Sequence, residues 1–405
     1  MTVLFLSYTG VSEPLGQSQV LPYVRGLARR GFRMRLASFE KSTADAAEFL
    51  RLEQLLRDEG ITWRRLAYHA KPRVASTAYD IARGAALCFG DGGRRLELIH
   101  ARSHVPALMA DLATRIAGAR YIFDHRGLMA EEFVDSGLWP QGGWLYRLVS
   151  KLEARFLRRA AGVVVLTERY RNELGPGPRI EVIPCAVDLS VFRPVEDLER
   201  PYDLIYAGSW SGLYLANEML RFFSIFRSVR PNGRFLVLAP PGQPLPEQGN
   251  GIEALHASPD QVPRMLTQAH AGLSLRRPGR AQVAAAPVKV SEYLACGLPV
   301  LSSSGVGDLD TLLPSTGTGV MLHGYSDAEM HRAATELAHL IALGRLVVDR
   351  CRLLAETRYS LETAIDKYAA LYEHVLASRA RFGLGGRRAK AIRRAPDQLP
   401  RCRTR

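Results

Sequence analysis

The chain has 405 residues, 47% of them hydrophobic and 23% charged, and carries a formal net charge of +14. These proportions argue against disorder and, at ~100–200 residues per domain, predict two or three packed domains. No apolar run approaches the ~18–20 residues that cross a bilayer: Ala160 to Leu166 is among the longest, and Val3 to Leu6 is too brief for the core of a signal peptide.

In chain order, Val3 to Tyr8 reads as a strand and Gln17 to Arg30 as a helix stopped by Gly31. Arg33 to Phe39 is the next strand, followed by a helix from about Ala44 to Arg57 and a strand from Ile61 to Tyr68. Leu96 to His100, Tyr121 to Phe123, Val163 to Thr167 and Ile180 to Ile183 read as further strands, most of them separated by helices. Such alternation predicts βαβ units and a parallel sheet. A polar, proline-bearing stretch from Pro184 to Pro201 reads as a linker. A second alternation follows. Its strands are Asp203 to Ala207, Arg234 to Leu238, Ile252 to Leu255, Gly272 to Leu275 and Pro299 to Leu301. Its helices are Tyr214 to Val229, one near Gln261, Val288 to Ala295, Asp327 to Leu343 and Leu361 to Ala377. The expected fold class is α/β, with two doubly wound Rossmann-like domains facing a central cleft. The predicted boundaries are 1–185, a linker at 186–201, 202–360, a helix at 361–378 returning toward the first domain, and a basic tail at 379–405.

That tail holds ten Lys or Arg residues and one acid, Asp397. It suits an anionic membrane surface or simple solvation. Nucleic acid is not expected as a partner, because neither a second basic arm nor an aromatic-basic sheet motif accompanies the charge. Cys88, Cys185, Cys296, Cys351 and Cys402 are scattered without a CxxC pair, so a zinc ribbon or disulfide scaffold is not expected and a cytoplasmic setting is.

Each half opens with a strand, a glycine-bearing loop and a helix. The loops are Thr9 to Gly16 and Gly208 to Gly212. A loop of this kind brings backbone N–H groups and a helix N-terminus toward phosphate. There is no GxGxxG after a strand and no GxxxxGK[ST], which disfavours a nicotinamide dehydrogenase and a Walker-type nucleotidase. The Gly208 to Gly212 loop has Trp210 where a nucleophile elbow has serine. Lys289 and Glu292 stand three apart at the start of one helix and share a face. An ammonium for phosphate and a carboxylate for a ribose diol, one turn apart, suit a nucleoside diphosphate; a surface ion pair is the alternative.

The segment AAPVKVSEYLACGLPVLSSSGVGD, residues 285–308, resembles the donor-site signature of GT-B glycosyltransferases of the retaining family-4 type. Leu15 to Gly31, Phe123 to Trp139, Val182 to Pro194 and Tyr206 to Phe223 resemble, in order, that family's glycine loop, acceptor-side loop, interdomain signature and donor-domain start. The acceptor-side loop is similar to that of a bacterial surface-polysaccharide subgroup. The resemblance implies transfer of a hexose-type sugar, with retention, from a UDP- or GDP-sugar to a glycan or lipid-linked acceptor. It implies no cofactor and no metal site, and action in the cytoplasm or at the inner membrane face. By position, Glu292 would bind the ribose and Lys289 the diphosphate, with Gly16, Gly208, Ser209, Arg276 and Arg277 completing the donor site. Asp124, His125 and Arg126 would line the reaction centre, and Glu132 would touch the acceptor.

Three departures accompany the resemblance. Ala284 stands where a second acid is usual, Ser209 where an arginine often follows the glycine, and Pro184-Cys185-Ala186 replaces Pro-Asn-Gly. Asp308-Leu-Asp310 spells a DxD that is expected to be a loop rather than a metal site. His100, Arg102 and His104 are read as cleft lining or solvated loop. Trp139, Trp144 and Tyr146 are read as helix packing or a lipid-facing patch. A nucleotide-sugar 2-epimerase on the same fold and a non-catalytic two-lobed binding protein remain as alternatives.

Overall fold

The computed structural model describes residues 1–41, 46–89, 96–117, 119–175, 179–195, 198–210 and 212–391. The side chains beyond residue 377 and all of 392–405 lie outside the described residues, so the basic tail is not described, nor are Ser211 and Cys402.

The first sheet has seven strands: β1 (Thr2–Ser7), β2 (Arg33–Glu40), β3 (Thr62–Ala67), β4 (Leu98–Arg102), β5 (Arg120–Asp124), β6 (Gly162–Val165) and β7 (Ile180–Val182). All are parallel, in the order β3-β2-β1-β4-β5-β6-β7. The second sheet has β8 (Tyr202–Ala207), β9 (Phe235–Ala239), β10 (Ile252–His256), β11 (Ala269–Ser274), β12 (Val300–Ser303) and β13 (Gly319–Leu322), parallel in the order β10-β9-β8-β11-β12-β13. The near-continuous apolar content of the interior strands β1, β6, β8 and β9 is what a sheet covered by helices on both faces requires.

Strand order reverses between β1 and β4 in the first sheet and between β8 and β11 in the second. In open parallel sheets, ligands collect at the carboxyl ends of the strands beside such reversals. Those ends are Ser7 and Arg102 in one sheet, and Ala207 and Ser274 in the other.

β13, the helix Leu309–Thr316 and the helix Arg345–Arg358 were not foreseen. β13 has only four residues, and the two helices carry Pro314 and a charge-rich solvent face, so neither periodicity is strong.

The final helix, Leu361–Ala391, belongs to the first domain's core. Ile365, Tyr368, Leu371, Tyr372 and Val375 are buried against Val24, Leu27, Phe32, Met34 and Leu98. Gly26 lets the helices meet closely, since a Cβ there would stand 2.1 Å from Ile365 Cδ1. The two crossings between domains are tied together: Val187 N–H donates to the Tyr359 carbonyl (2.8 Å) and Leu361 N–H to the Val187 carbonyl (3.1 Å). Arg352 holds the linker by donating to the carbonyls of Leu189 and Phe192. Among the described residues, no helix is long and apolar enough to cross a membrane.

Candidate active site

The second domain builds its half of the site at the β8–β11 reversal. β8 runs into Gly208 at a φ of +135°, which favours glycine, and a Cβ there would meet Lys289 Nζ at 3.0 Å. Lys289 is the second residue of the helix Val288–Ala295, entered through Pro287. The residue is 6% exposed, and its buried ammonium has no hydrogen-bond partner among the described residues. Two ring faces hold it instead: Nζ stands 3.4 Å from the Tyr214 centroid and 3.8 Å from that of Tyr206. Burial, reinforced by Arg276, depresses its pKa well below that of an ordinary lysine, with Glu292 opposing.

Arg276, two residues past β11, is fixed from several sides. Its Nε donates to Gln282 Oε1 (2.7 Å), its Nη1 to the Tyr214 hydroxyl (3.3 Å), and its backbone N–H to Ser303 Oγ (2.8 Å). Tyr214 therefore touches both cations. Arg277, the next residue, is exposed and is not gathered with them. The Ser209 carbonyl accepts a short hydrogen bond from the Tyr206 hydroxyl, so this residue shapes the loop through its backbone.

Glu292 sits half-buried one turn beyond Lys289. Burial pushes its carboxyl up to about 7, with Lys289 opposing. A carboxyl whose folded pKa lies above its unfolded value contributes stability that is full below ~4.5 and lost as pH rises through about 7. Glu292→Gln is therefore expected to be more stable than the parent at pH 8 by about 1–3 kcal/mol, with the gap closing toward pH 4.5, as read by urea unfolding.

The position of the usual second acid, Ala284, closes a 3-10 turn (Arg280–Ala284) that docks on the first domain. Val283 and Ala284 are buried in that domain's core cluster, and Thr167 Oγ1 donates to the Val283 carbonyl (2.8 Å). Ala281 N–H donates to Asp135 Oδ2 (3.0 Å). A carboxylate at Ala284 would lie in apolar surroundings, so the small residue serves domain contact.

The first domain supplies a glycine loop braced from below. Glu40, the buried last residue of β2, accepts from Val11 N–H (2.8 Å), Ser12 N–H (3.2 Å) and Ser12 Oγ (2.6 Å). The sequence reading missed this brace, although a charge ending an otherwise apolar strand is a visible signal. Gly16 is required for the same loop, because a Cβ there would stand 1.9 Å from the Gly10 carbonyl oxygen. Its close approach is to the protein's own backbone.

The Asp124, His125 and Arg126 triplet divides. Asp124 is 2% exposed. His100 Nε2 lies 3.2 Å and Arg126 Nη1 3.6 Å from its carboxylate, and His100 Nδ1 lies 2.6 Å from the Tyr372 hydroxyl on the final helix. Burial alone would raise the Asp124 pKa, but Arg126, His100 and Arg102 outweigh it and hold it down at about 2. Arg126 also donates to Gln19 Oε1 (3.4 Å) and to Cys185 Sγ (3.1 Å), so the unusual Cys185 has a partner.

His125 is fully buried, stacked on Tyr170 with centroids 4.8 Å apart. Its Nε2 is 3.5 Å from Glu153 Oε2, and the same oxygen lies 2.6 Å from His104 Nε2. That second spacing is a hydrogen bond; ligands ~2.0–2.1 Å from one tetrahedral metal stand farther apart than this. His104, Glu153 and His125 thus form a polar chain inside the domain. His100, Arg102 and His104 are all buried, which corrects the reading of them as cleft lining or solvated loop.

Glu132 lies on the helix Met129–Asp135, which packs against the 3-10 turn. Burial raises its pKa, opposed by Arg276 across the cleft and by His125. Gly127 makes room for it: at φ +146°, a Cβ would stand 2.5 Å from Glu132 Oε1. Asp308 and Asp310 are occupied elsewhere. Asp308 accepts from the backbone N–H groups of Glu168 and Arg169 (both 3.0 Å) and from Arg358, locking the domains together, while Asp310 accepts from Gly305 N–H (2.7 Å).

The geometry brings Gly208, Arg276, Lys289 and Glu292 close together around Tyr214, faces Glu132 toward Arg276, and sets Asp124 and Arg126 in the first domain as a buried charge network. Residues 16–186 match the family described as Glycosyl transferase 4-like domain. No curated protein matches the chain. Among solved structures, a sucrose-phosphate synthase from Thermosynechococcus elongatus is similar at 14% identity, covering 93% of this chain and 100% of its own, with a TM-score of 0.69. HepE from Anabaena, in complex with UDP, is similar at 14% identity, 92% and 100% coverage and a TM-score of 0.65. WaaG, a glycosyltransferase involved in lipopolysaccharide biosynthesis, is similar at 16% identity, 91% and 98% coverage and a TM-score of 0.60. The chain thus carries a glycosyl transferase 4-like domain over residues 16–186, and as a whole it has the two-domain GT-B fold of these solved glycosyltransferases.

Proposed function

We propose that the protein transfers a hexose-type sugar, with retention, from a nucleoside-diphosphate donor to a glycan or lipid-linked acceptor in cell-surface polysaccharide biosynthesis. The observation that carries this reading is the buried Lys289 ammonium, which has aromatic faces but no hydrogen-bonded or ion-paired anion among the described residues and stands next to the fixed guanidinium of Arg276. A diphosphate would bring the missing negative charge to both cations, and Glu292 as a carboxylate would accept from the ribose hydroxyls. The solved complexes of HepE with UDP and with UDP-glucose support a UDP-sugar over a GDP-sugar.

In this mechanism, the bond between the anomeric carbon and the diphosphate oxygen breaks while Lys289, Arg276 and the Gly208 backbone hold the developing charge. The acceptor hydroxyl, admitted past Glu132, forms the new glycosidic bond and passes its proton to the departing phosphate oxygen. No metal ion is required for these steps. The protein acts in the cytoplasm or at the inner membrane face, where the basic tail would meet anionic lipid.

Thermal unfolding in UDP-, GDP- and dTDP-sugars tests the donor site. A ligand at 100 times its Kd adds about 2.7 kcal/mol, so a shift of several degrees is expected with a UDP-sugar and should persist in chelator. Absence of a shift with every donor overturns the proposal. Incubation with donor alone separates transfer from 2-epimerisation, because an epimerase changes the sugar without an acceptor.

A further inference from the structure

The helix Trp144–Arg159 follows the acceptor-side helix in the chain, and its two faces differ sharply. Its inward face is fully engaged. Phe156, Leu152 and Leu157 pack into the first domain's core, Glu153 pairs with His104, and Arg155 and Arg159 both reach the buried Asp111. Its outward face is a stripe at helical spacing: Trp144, Arg147, Leu148, Lys151, Ala154 and Arg158, all exposed. Trp144 is 66% and Leu148 46% exposed, and Leu138, in the loop just before the helix, is 59% exposed.

The stripe carries three cations and no acid. Arg147, Lys151 and Arg158 make no ion pair with any described residue. Neighbouring aromatics behave differently: Trp139 is stacked on Phe133 with centroids 4.3 Å apart, and the Tyr146 hydroxyl donates to Glu131 (2.8 Å). Of the three aromatics read from sequence as packing or lipid-facing, only Trp144 is exposed.

We propose that this stripe, with Leu138, is a docking surface for an anionic lipid bilayer. An indole and two leucines suit the boundary between headgroups and acyl chains, and the long Lys and Arg stems allow their charges to reach lipid phosphates. The charge complementarity is one-sided, which selects an anionic bilayer over a neutral one. Because the helix Met129–Asp135, which carries Glu132, packs against this helix, docking brings the acceptor side of the cleft to the membrane face. The surface shares no residue with the donor site, so it stands whether or not the donor reading does.

Full-length protein is mixed with phosphatidylcholine vesicles containing about one third phosphatidylglycerol, and the bound fraction is read by co-sedimentation. At about fivefold per cation near an anionic surface, Arg147→Glu/Lys151→Glu is expected to lower partitioning at least tenfold. Trp144→Ser/Leu148→Ser is expected to lower it about tenfold through lost apolar contact. Trp144→Phe should keep most of the binding but lose most of the vesicle-induced blue shift in indole fluorescence. Unchanged thermal unfolding and an unchanged UDP response confirm that each variant is folded. The proposal is overturned if wild type ignores these vesicles, or if both double variants partition within twofold of wild type, leaving binding to the tail. It is equally overturned if Trp144→Ser/Leu148→Ser converts a dimer to a monomer without altering vesicle binding, which would make the face a contact between copies.

Discussion

Lys289→Met is expected to lower kcat/KM for the nucleotide-sugar by about 10- to 100-fold, the worth of one charged hydrogen bond to the departing diphosphate. The same substitution should raise the midpoint of urea unfolding. The ammonium is desolvated and has no hydrogen-bonding partner among the described residues, and Arg276 adds repulsion. A thioether of similar length fits between two tyrosine faces without that penalty. Lys289→Arg should not restore activity, because ring centroids 3.4 and 3.8 Å from Nζ leave no room for a planar guanidinium. Initial rates over a donor series, with unfolding curves on the same samples, check both effects. Wild-type turnover by a folded Lys289→Met protein would remove the central argument for the donor pocket.

The largest stability effect is expected at Asp124. Its carboxylate is the acid beside two buried guanidiniums, Arg102 and Arg126, and it also holds His100. Removing one partner from such a group leaves uncompensated buried charge, so Asp124→Asn should cost about 3–5 kcal/mol. Arg126→Met in the same background should return part of the loss, and the double-mutant cycle measures how much. The sign with pH follows from the depressed carboxyl. Its contribution is present above the ordinary value of 3.8 and fades as pH falls through about 2. The gap between wild type and Asp124→Asn should therefore narrow steadily from pH 4 downward. An unchanged unfolding midpoint at pH 7 would show that the network is not structural.

The two-sheet plan was legible because its signal is local. Short apolar strands alternate with amphipathic helices, and each sheet's first strand runs into a glycine-bearing loop. Lys289 and Glu292 were legible for the same reason, being one helical turn apart. What sequence spacing did not disclose is whatever distant segments bring together. Tyr214 reaches Lys289 across 75 positions, and Tyr372 reaches His100 across 272. Glu40 braces a loop 29 residues earlier in the chain. His125 illustrates the opposite case: its neighbours Asp124 and Arg126 suggested a cleft residue, yet a side chain's direction after a strand end depends on what packs there, and here Tyr170 and Glu153 draw the ring inward. β13 escaped notice because four residues carry too little pattern to separate a strand from a turn.

The return of the last helix to the first domain sets an order on biosynthesis. As the polypeptide emerges from the ribosome, the second domain has all of its own strands before the first can be finished. The apolar surface around Val24, Phe32 and Met34 stays uncovered until Ile365, Leu371 and Val375 have been made. The early-made lobe must therefore persist as an unsealed intermediate while the second domain is synthesised, exposed to chaperones and proteases, and it is the helix beginning at Leu361 that closes it.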